Sequence, residues 1–138
     1  AKAKHMIKDC KLIAERNNIR FKFNSYFPIR SLNLMRGVLV AEEDNIKNYY
    51  IDSIFNTIWQ DGLNMNDDII IQKVLKNLNV NPKTFALRIT SSLIKDSLRT
   101  KTNNAYEKGI FGAPTYVVNN KIFWGQDRIE FALKEASK

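Results

Sequence analysis

Between Lys2 and Asn18 the apolar residues fall at Met6, Ile7, Cys10, Ile13 and Ala14, with charged residues between them. That spacing gives a helix one apolar face, and Asn17-Asn18 closes it. Phe21-Lys22-Phe23 alternates as a short strand does, and Tyr26-Phe27-Pro28 turns the chain. Ser31 is placed to cap a helix whose apolar positions are Leu32, Met35 and Leu39. In the next helix the rows Tyr50-Ile54-Ile58 and Ile51-Phe55-Trp59 form one wide apolar stripe, and the stretch around Gly62 ends it. Asn66-Asp67-Asp68 has the acidic, cap-forming character of a helix start before Ile70, Val74, Leu75 and Leu78. Asn81-Pro82 opens another helix, because asparagine caps and proline at the first position loses no needed donor. The helical pattern then runs from Thr84 to Lys108 with a break near Thr90-Ser91-Ser92, and Gly109 stops it.

After Gly109 the period changes. Thr115-Tyr116-Val117-Val118 and Lys121-Ile122-Phe123-Trp124 read as two strands around Asn119-Asn120, since asparagine tolerates the left-handed backbone of a tight hairpin. Gly125-Gln126-Asp127 leads into a last helix with Ile129, Ala132, Leu133 and Ala136 on one face. No repeat or low-complexity linker divides the chain, so the expectation is one partial α/β domain in which Phe21–Phe23 and the hairpin share a thin sheet.

Composition narrows the class. The 138 residues carry 22 Lys+Arg against 14 Asp+Glu, a net charge of +8. The basic residues are dispersed and interrupted by Glu42-Glu43-Asp44, whereas a phosphate-gripping surface clusters them; no nucleic-acid partner is expected. No apolar run approaches the roughly 18 residues of a membrane helix, and no signal-peptide pattern is present, so the expectation is a soluble chain without a membrane partner, located in the cytoplasm. One cysteine and one histidine leave no disulfide framework, no Cys-x-x-Cys pair and no expected metal site. Cys10, on an apolar stripe, reads as an inert buried thiol, and His5 as a residue without a local partner.

Two stretches have chemical potential. In Gly112-Ala113-Pro114-Thr115 the proline leads into a strand, and two readings stand: an ordinary strand-entry proline, or a cis Ala113-Pro114 bond that turns the Ala113 backbone outward to pair with an extended ligand. At Gly125-Gln126-Asp127 the start of a helix favours an anion, while Asp127 as a plain N-cap is the alternative.

The run Gly109-Ile110-Phe111-Gly112-Ala113-Pro114-Thr115-Tyr116-Val117-Val118, with Phe123-Trp124-Gly125-Gln126-Asp127-Arg128, resembles the carboxy-terminal signature of 2-hydroxychromene-2-carboxylate isomerases and kappa-class glutathione transferases. Both belong to the DsbA-like thioredoxin superfamily. The resemblance extends upstream through Trp59, Met35-Arg36, Ser31-Leu32 and Phe27-Pro28 to Lys2-Ala3-Lys4-His5-Met6. It implies an α/β, thioredoxin-like (DsbA-like) domain with a large helical insertion over about residues 30–108 and a C-terminal hairpin plus helix over 109–138, usually a homodimer. It further implies glutathione as cofactor. Pro114 would be cis, the Ala113 backbone would pair with the cysteinyl part, and Gln126 and Asp127 would hold the γ-glutamyl end. Lys2 would lie near the ligand.

In that family a strand-helix segment precedes the position of Lys2 and contains the catalytic serine, which is therefore expected upstream of Ala1. The implied reaction is cis-trans isomerisation of a small aromatic-derived substrate with glutathione as cofactor. A glutathione transferase, a DsbA-type thiol-disulfide oxidoreductase with a Cys-x-x-Cys further upstream, and a truncated non-catalytic binding domain are the other readings.

Overall fold

The structure, a computed structural model, describes the backbone of residues 2–138 and the side chains of residues 4–138. It divides into two compact units, residues 1–98 and 99–138.

The first unit is helical. Helix α1 (Lys2–Arg16) ends at Asn18, which takes a φ of +53°. Among its described residues Ala14 alone is fully buried. Cys10 is exposed, contrary to expectation, because the stripe that carries it is buried only at its Ala14 end among the described residues. His5 also departs from its reading: its Nε2 stands 3.6 Å from Asp9 Oδ2, one turn along the helix.

Phe21-Lys22-Phe23 forms no strand. Its alternation reports aromatic packing instead: the rings of Phe21, Phe23 and Phe27 lie 6.0, 6.2 and 5.9 Å from that of Trp59. The Lys22 N–H donates to the Trp59 carbonyl at 2.6 Å, so this backbone is tied to the end of a helix and not to a ladder. The adjacent Asn24 is completely buried. Its Nδ2 donates to the carbonyls of Ile58 and Leu63 at 2.9 and 2.8 Å, and its Oδ1 accepts from the Tyr26 N–H.

Helix α2 (Leu32–Glu43) follows Ser31, whose backbone is already helical and whose side chain makes no cap bond; capping needs an extended residue there. The buried face of α2 is Leu34, Gly37, Leu39, Val40 and Ala41, while Leu32 and Met35 are exposed. Gly37 explains the rotation. A Cβ there would lie 2.7 Å from Tyr50 Cζ, so the glycine is what admits the Tyr50 ring, and a count of large apolar residues misses it. In α3 (Lys47–Trp59) the row Tyr50-Ile54-Ile58 is buried but Phe55 is exposed, so the stripe is narrower than its sequence suggests.

Helix α4 (Asp68–Asn77) is capped by Asp67, which accepts from the Ile69 N–H at 2.9 Å. Helix α5 (Pro82–Ile89) is capped by Asn81, which accepts from Lys83 and Thr84. Both caps match the sequence reading. Residues of α2 to α5, with Met65 and Ile94, make one core centred on Tyr50 and Phe85, whose rings are 5.6 Å apart. The Tyr50 hydroxyl donates to the Leu34 carbonyl at 3.2 Å, and burial pushes its pKa up.

Helix α6 (Ser92–Glu107) begins after the expected break and ends at Gly109, with φ +79°. The Gly109 and Ile110 N–H groups return to the carbonyls of Tyr106 and Ala105, the pattern that closes a helix through a left-handed residue. In the second unit β1 (Thr115–Val118) and β2 (Lys121–Trp124) form an antiparallel hairpin. Asn119 and Asn120 both have positive φ, +48° and +63°, as a two-residue turn requires. The described residues form no further strand in this sheet.

A 3-10 turn (Gln126–Arg128) leads into α7 (Ile129–Ala136), which packs on both strands. Its buried residues are Ala132 and Glu135, while Ile129 and Leu133 are exposed. The expected apolar face is displaced because the turn end of the hairpin grips Glu135: Lys121 Nζ lies 2.9 Å from its carboxylate and Asn119 Nδ2 donates to its carbonyl at 3.1 Å.

Candidate functional site

The hairpin register builds the site. Thr115 pairs with Trp124, and one residue further out the Gly125 N–H donates to the Pro114 carbonyl at 2.9 Å. Continued by one more residue, the register sets Ala113 beside Gln126. Two stretches separated in sequence by the whole hairpin therefore meet. They line an open cavity of about 400 Å³ whose walls are Ala113, Trp124, Gly125, Gln126, Asp127 and Arg128, inside the range of roughly 300–1,000 Å³ usual for small-molecule sites.

Several local features shape this cavity. The Ala113–Pro114 bond is cis, the isomer that the resemblance implies, and both residues are exposed. The Thr115 hydroxyl donates to the Gly112 carbonyl at 2.5 Å, which closes the loop on itself. Gly112 has no room for a side chain, since a Cβ would stand 2.6 Å from Trp124 Nε1. Gly125, at φ +109° and ψ 152°, occupies backbone space that is open essentially to glycine alone. A Cβ there would lie 2.6 Å from Asp127 Oδ1, so Gly125 also leaves the space into which the Asp127 carboxylate reaches.

Asp127 is not an N-cap. No side chain caps the 3-10 turn or α7, and Asp127 Oδ2 instead accepts from Arg128 at 2.7 Å. It sits within the turn, past the position from which a side chain can fold back onto the first amides, which is why the capping alternative fails. The exposed carboxylate, the Arg128 guanidinium and the Gln126 amide give the cavity one anion, one cation and one neutral donor and acceptor. That set complements a zwitterionic amino-acid group through charge-assisted hydrogen bonds.

Of the five residues singled out from sequence, Ala113, Gln126 and Asp127 line the cavity. Pro114 holds its edge through the bond to Gly125, and the side chain of Lys2 lies outside the described residues. Trp124 and Arg128 were not singled out although they stand within the same motif; the hairpin register, legible from Asn119-Asn120, would have placed them. Among the described residues no cluster of His, Cys, Asp and Glu could hold a metal ion, and no helix is long and apolar enough to cross a membrane.

Known proteins share this arrangement of chain. The family model for the DSBA-like thioredoxin domain matches residues 1–136. The 2-hydroxychromene-2-carboxylate isomerase of Sphingobium xenophagum is 24% identical over 130 residues, which cover 94% of this chain and 66% of that protein. The protein of the same name from Pseudomonas sp. (strain C18) is 29% identical over 87 residues, 63% of this chain and 41% of the relative. A solved 2-hydroxychromene-2-carboxylate isomerase (HCCA isomerase) superposes with a TM-score of 0.87 at 22% identity, covering 99% of this chain and 66% of the other. The likeness shows a common fold, and the chain spans 66% or less of the length of these proteins.

Proposed function

The chain belongs to the DSBA-like thioredoxin domain family, and from that premise we propose that it forms the glutathione-binding part of a glutathione-dependent isomerase of the 2-hydroxychromene-2-carboxylate type. The observation that carries the reading is the convergence of Ala113 with Gln126 and Asp127 on one cavity. These are the residues at which the resemblance sets the cysteinyl and γ-glutamyl parts of the tripeptide. The relatives that align along the chain are named as isomerases, which supports an enzyme over a binding module.

The donor set suits glutathione chemically. Its γ-glutamyl end carries an ammonium and a carboxylate, for which Asp127 and the Gln126 amide, beside Arg128, supply the complements. The backbone of Ala113, exposed at the mouth of the loop, offers an edge to the cysteinyl segment in the manner of strand addition. Bound there, glutathione supplies a thiolate for reversible addition to a conjugated substrate. The work of these residues is orientation: holding both ends of an extended tripeptide fixes its middle residue next to Ala113, which converts a bimolecular encounter into a positioned one.

Calorimetric titration of glutathione into the protein tests the reading. The expected result is saturable binding that Asp127→Asn and Gln126→Ala each weaken about tenfold, close to 1.4 kcal/mol. Absence of binding, or binding indifferent to both substitutions, overturns it.

A further inference from the structure

The helical first unit holds a pocket of about 350 Å³ that shares no lining residue with the hairpin cavity. Helices α3 and α5 each pack on both α2 and α4, and the pocket is a gap left among the four. Its inner surface is apolar. Leu34, Tyr50, Leu75 and Phe85 line it and are buried, and Ile71, Pro82 and Ile89 line it half-buried. Protein interiors leave few voids larger than a water molecule, so a gap of this size is room for an occupant. Its two rings are tied down and do not fill it: the Tyr50 hydroxyl donates to the Leu34 carbonyl at 3.2 Å, and the Phe85 ring lies 5.6 Å from that of Tyr50.

The rim has a different composition. Asn33, Asp68, Gln72, Lys83 and Thr90 line the pocket and are exposed, so the space opens to solvent on a polar side. One carboxylate and one ammonium leave this rim without net charge, and an ion of either sign would meet a like charge as well as an opposite one. The other three side chains are neutral and can both donate and accept hydrogen bonds. An apolar interior under a few polar groups is how small-molecule sites hold a ligand by burial and fix its orientation.

Size sets the scale. A dry cavity of roughly 150 Å³ lined by Leu, Ile and Phe takes benzene. A pocket of about twice that volume with a similar lining has room for about ten to fourteen non-hydrogen atoms.

We propose that this pocket binds a neutral, mainly hydrocarbon small molecule of that size, its apolar part against Tyr50 and Phe85 and a single hydrogen-bonding group at the rim of Asn33, Gln72 and Thr90. The inference concerns a second site and goes beyond the glutathione reading, on which it does not depend. Burial of the hydrocarbon supplies the affinity, and the selecting properties are size, lack of charge and a polar group at one end only.

The test uses 1-nonanol as the probe. Octane-1,8-diol matches it in size but must bury a second hydroxyl without a partner, and nonanoate carries a charge at the rim. Binding is followed by calorimetry and by the methyl NMR signals of Ile71 and Ile89, with Ile122 of the hairpin as the internal control. Nonanol is expected to shift Ile71 and Ile89 saturably and to leave Ile122 in place. The diol is expected to bind about tenfold more weakly and nonanoate about fivefold more weakly.

Ala86 also lines the pocket and is exposed, so a large side chain there occupies the space without entering the core. Ala86→Trp is expected to weaken nonanol about tenfold. Should that variant fail to fold, Gln72→Trp on α4 takes its place. Absence of saturable binding, equal binding of the diol, tighter binding of nonanoate, a shift at Ile122 as large as at Ile71 and Ile89, or indifference to the tryptophan substitution overturns the proposal.

Discussion

The Gly125 amide donates to the Pro114 carbonyl across 2.9 Å, one step beyond the last strand pair, and this bond joins the two halves of the cavity. Gly125 holds φ at +109°, with Asp127 Oδ1 in the space a Cβ would fill. Gly125→Ala should therefore lower stability by about 1–3 kcal/mol through backbone strain. It should weaken glutathione at the same time by displacing Asp127. Thermal melting and calorimetry on the one variant check both effects.

Asn24 spends its amide on three backbone groups inside the first unit. Removing the side chain leaves two carbonyls and one N–H without their partner, and each orphaned buried group costs roughly 1–3 kcal/mol. Asn24→Ala should lose about 3 kcal/mol in urea unfolding, near the low end of that sum because water can reach part of the space. Asn24→Asp should lose at least as much, since it sets a carboxylate against the Ile58 and Leu63 carbonyls.

Gly37→Ala sets two effects against each other. Alanine in a helix interior gains up to about 1 kcal/mol over glycine, but the new methyl meets the Tyr50 ring, which the Leu34 carbonyl and Phe85 hold in place. Overpacking of this kind costs roughly 1–3 kcal/mol, so net destabilisation is expected. In a Tyr50→Leu background the same substitution should cost less, and a double-mutant cycle in denaturant measures the coupling.

Glu135 is hydrogen-bonded by Lys138 and Lys121, and these two ammonium groups hold its carboxyl down to about 2 from an ordinary 4.5. A lowered folded-state value means the unfolded chain binds the proton more readily, so this contribution is present in full above about pH 5 and is lost as the pH falls from 4.5 towards 2. The melting temperature of the protein should drop through that window, and that of Glu135→Gln should be flatter there. Parallel profiles for the two proteins would remove Glu135 from the account.

Local grammar was legible in this chain where a residue type has one backbone use. Asn119-Asn120, Asn81-Pro82, Asp67 and Gly109 each dictate a turn, a cap or a stop from within a few residues, and each is found in that role. What depends on distant neighbours was not legible. Phe21-Lys22-Phe23 has strand alternation, yet its rings answer to Trp59. The buried face of α2 turns on a glycine that an apolar pattern does not count. Cys10 is exposed although its stripe also carries the buried Ala14. At the site, the two motifs were visible separately, and it took the register to bring them together and to add Trp124 and Arg128.

All six residues that line the cavity, and the glycine and proline that shape it, come from one hairpin and its two flanks. The lining of this cavity is therefore supplied by one continuous stretch of chain from Ala113 to Arg128. A one-residue insertion in the Asn119-Asn120 turn should slip the register and part Ala113 from Gln126.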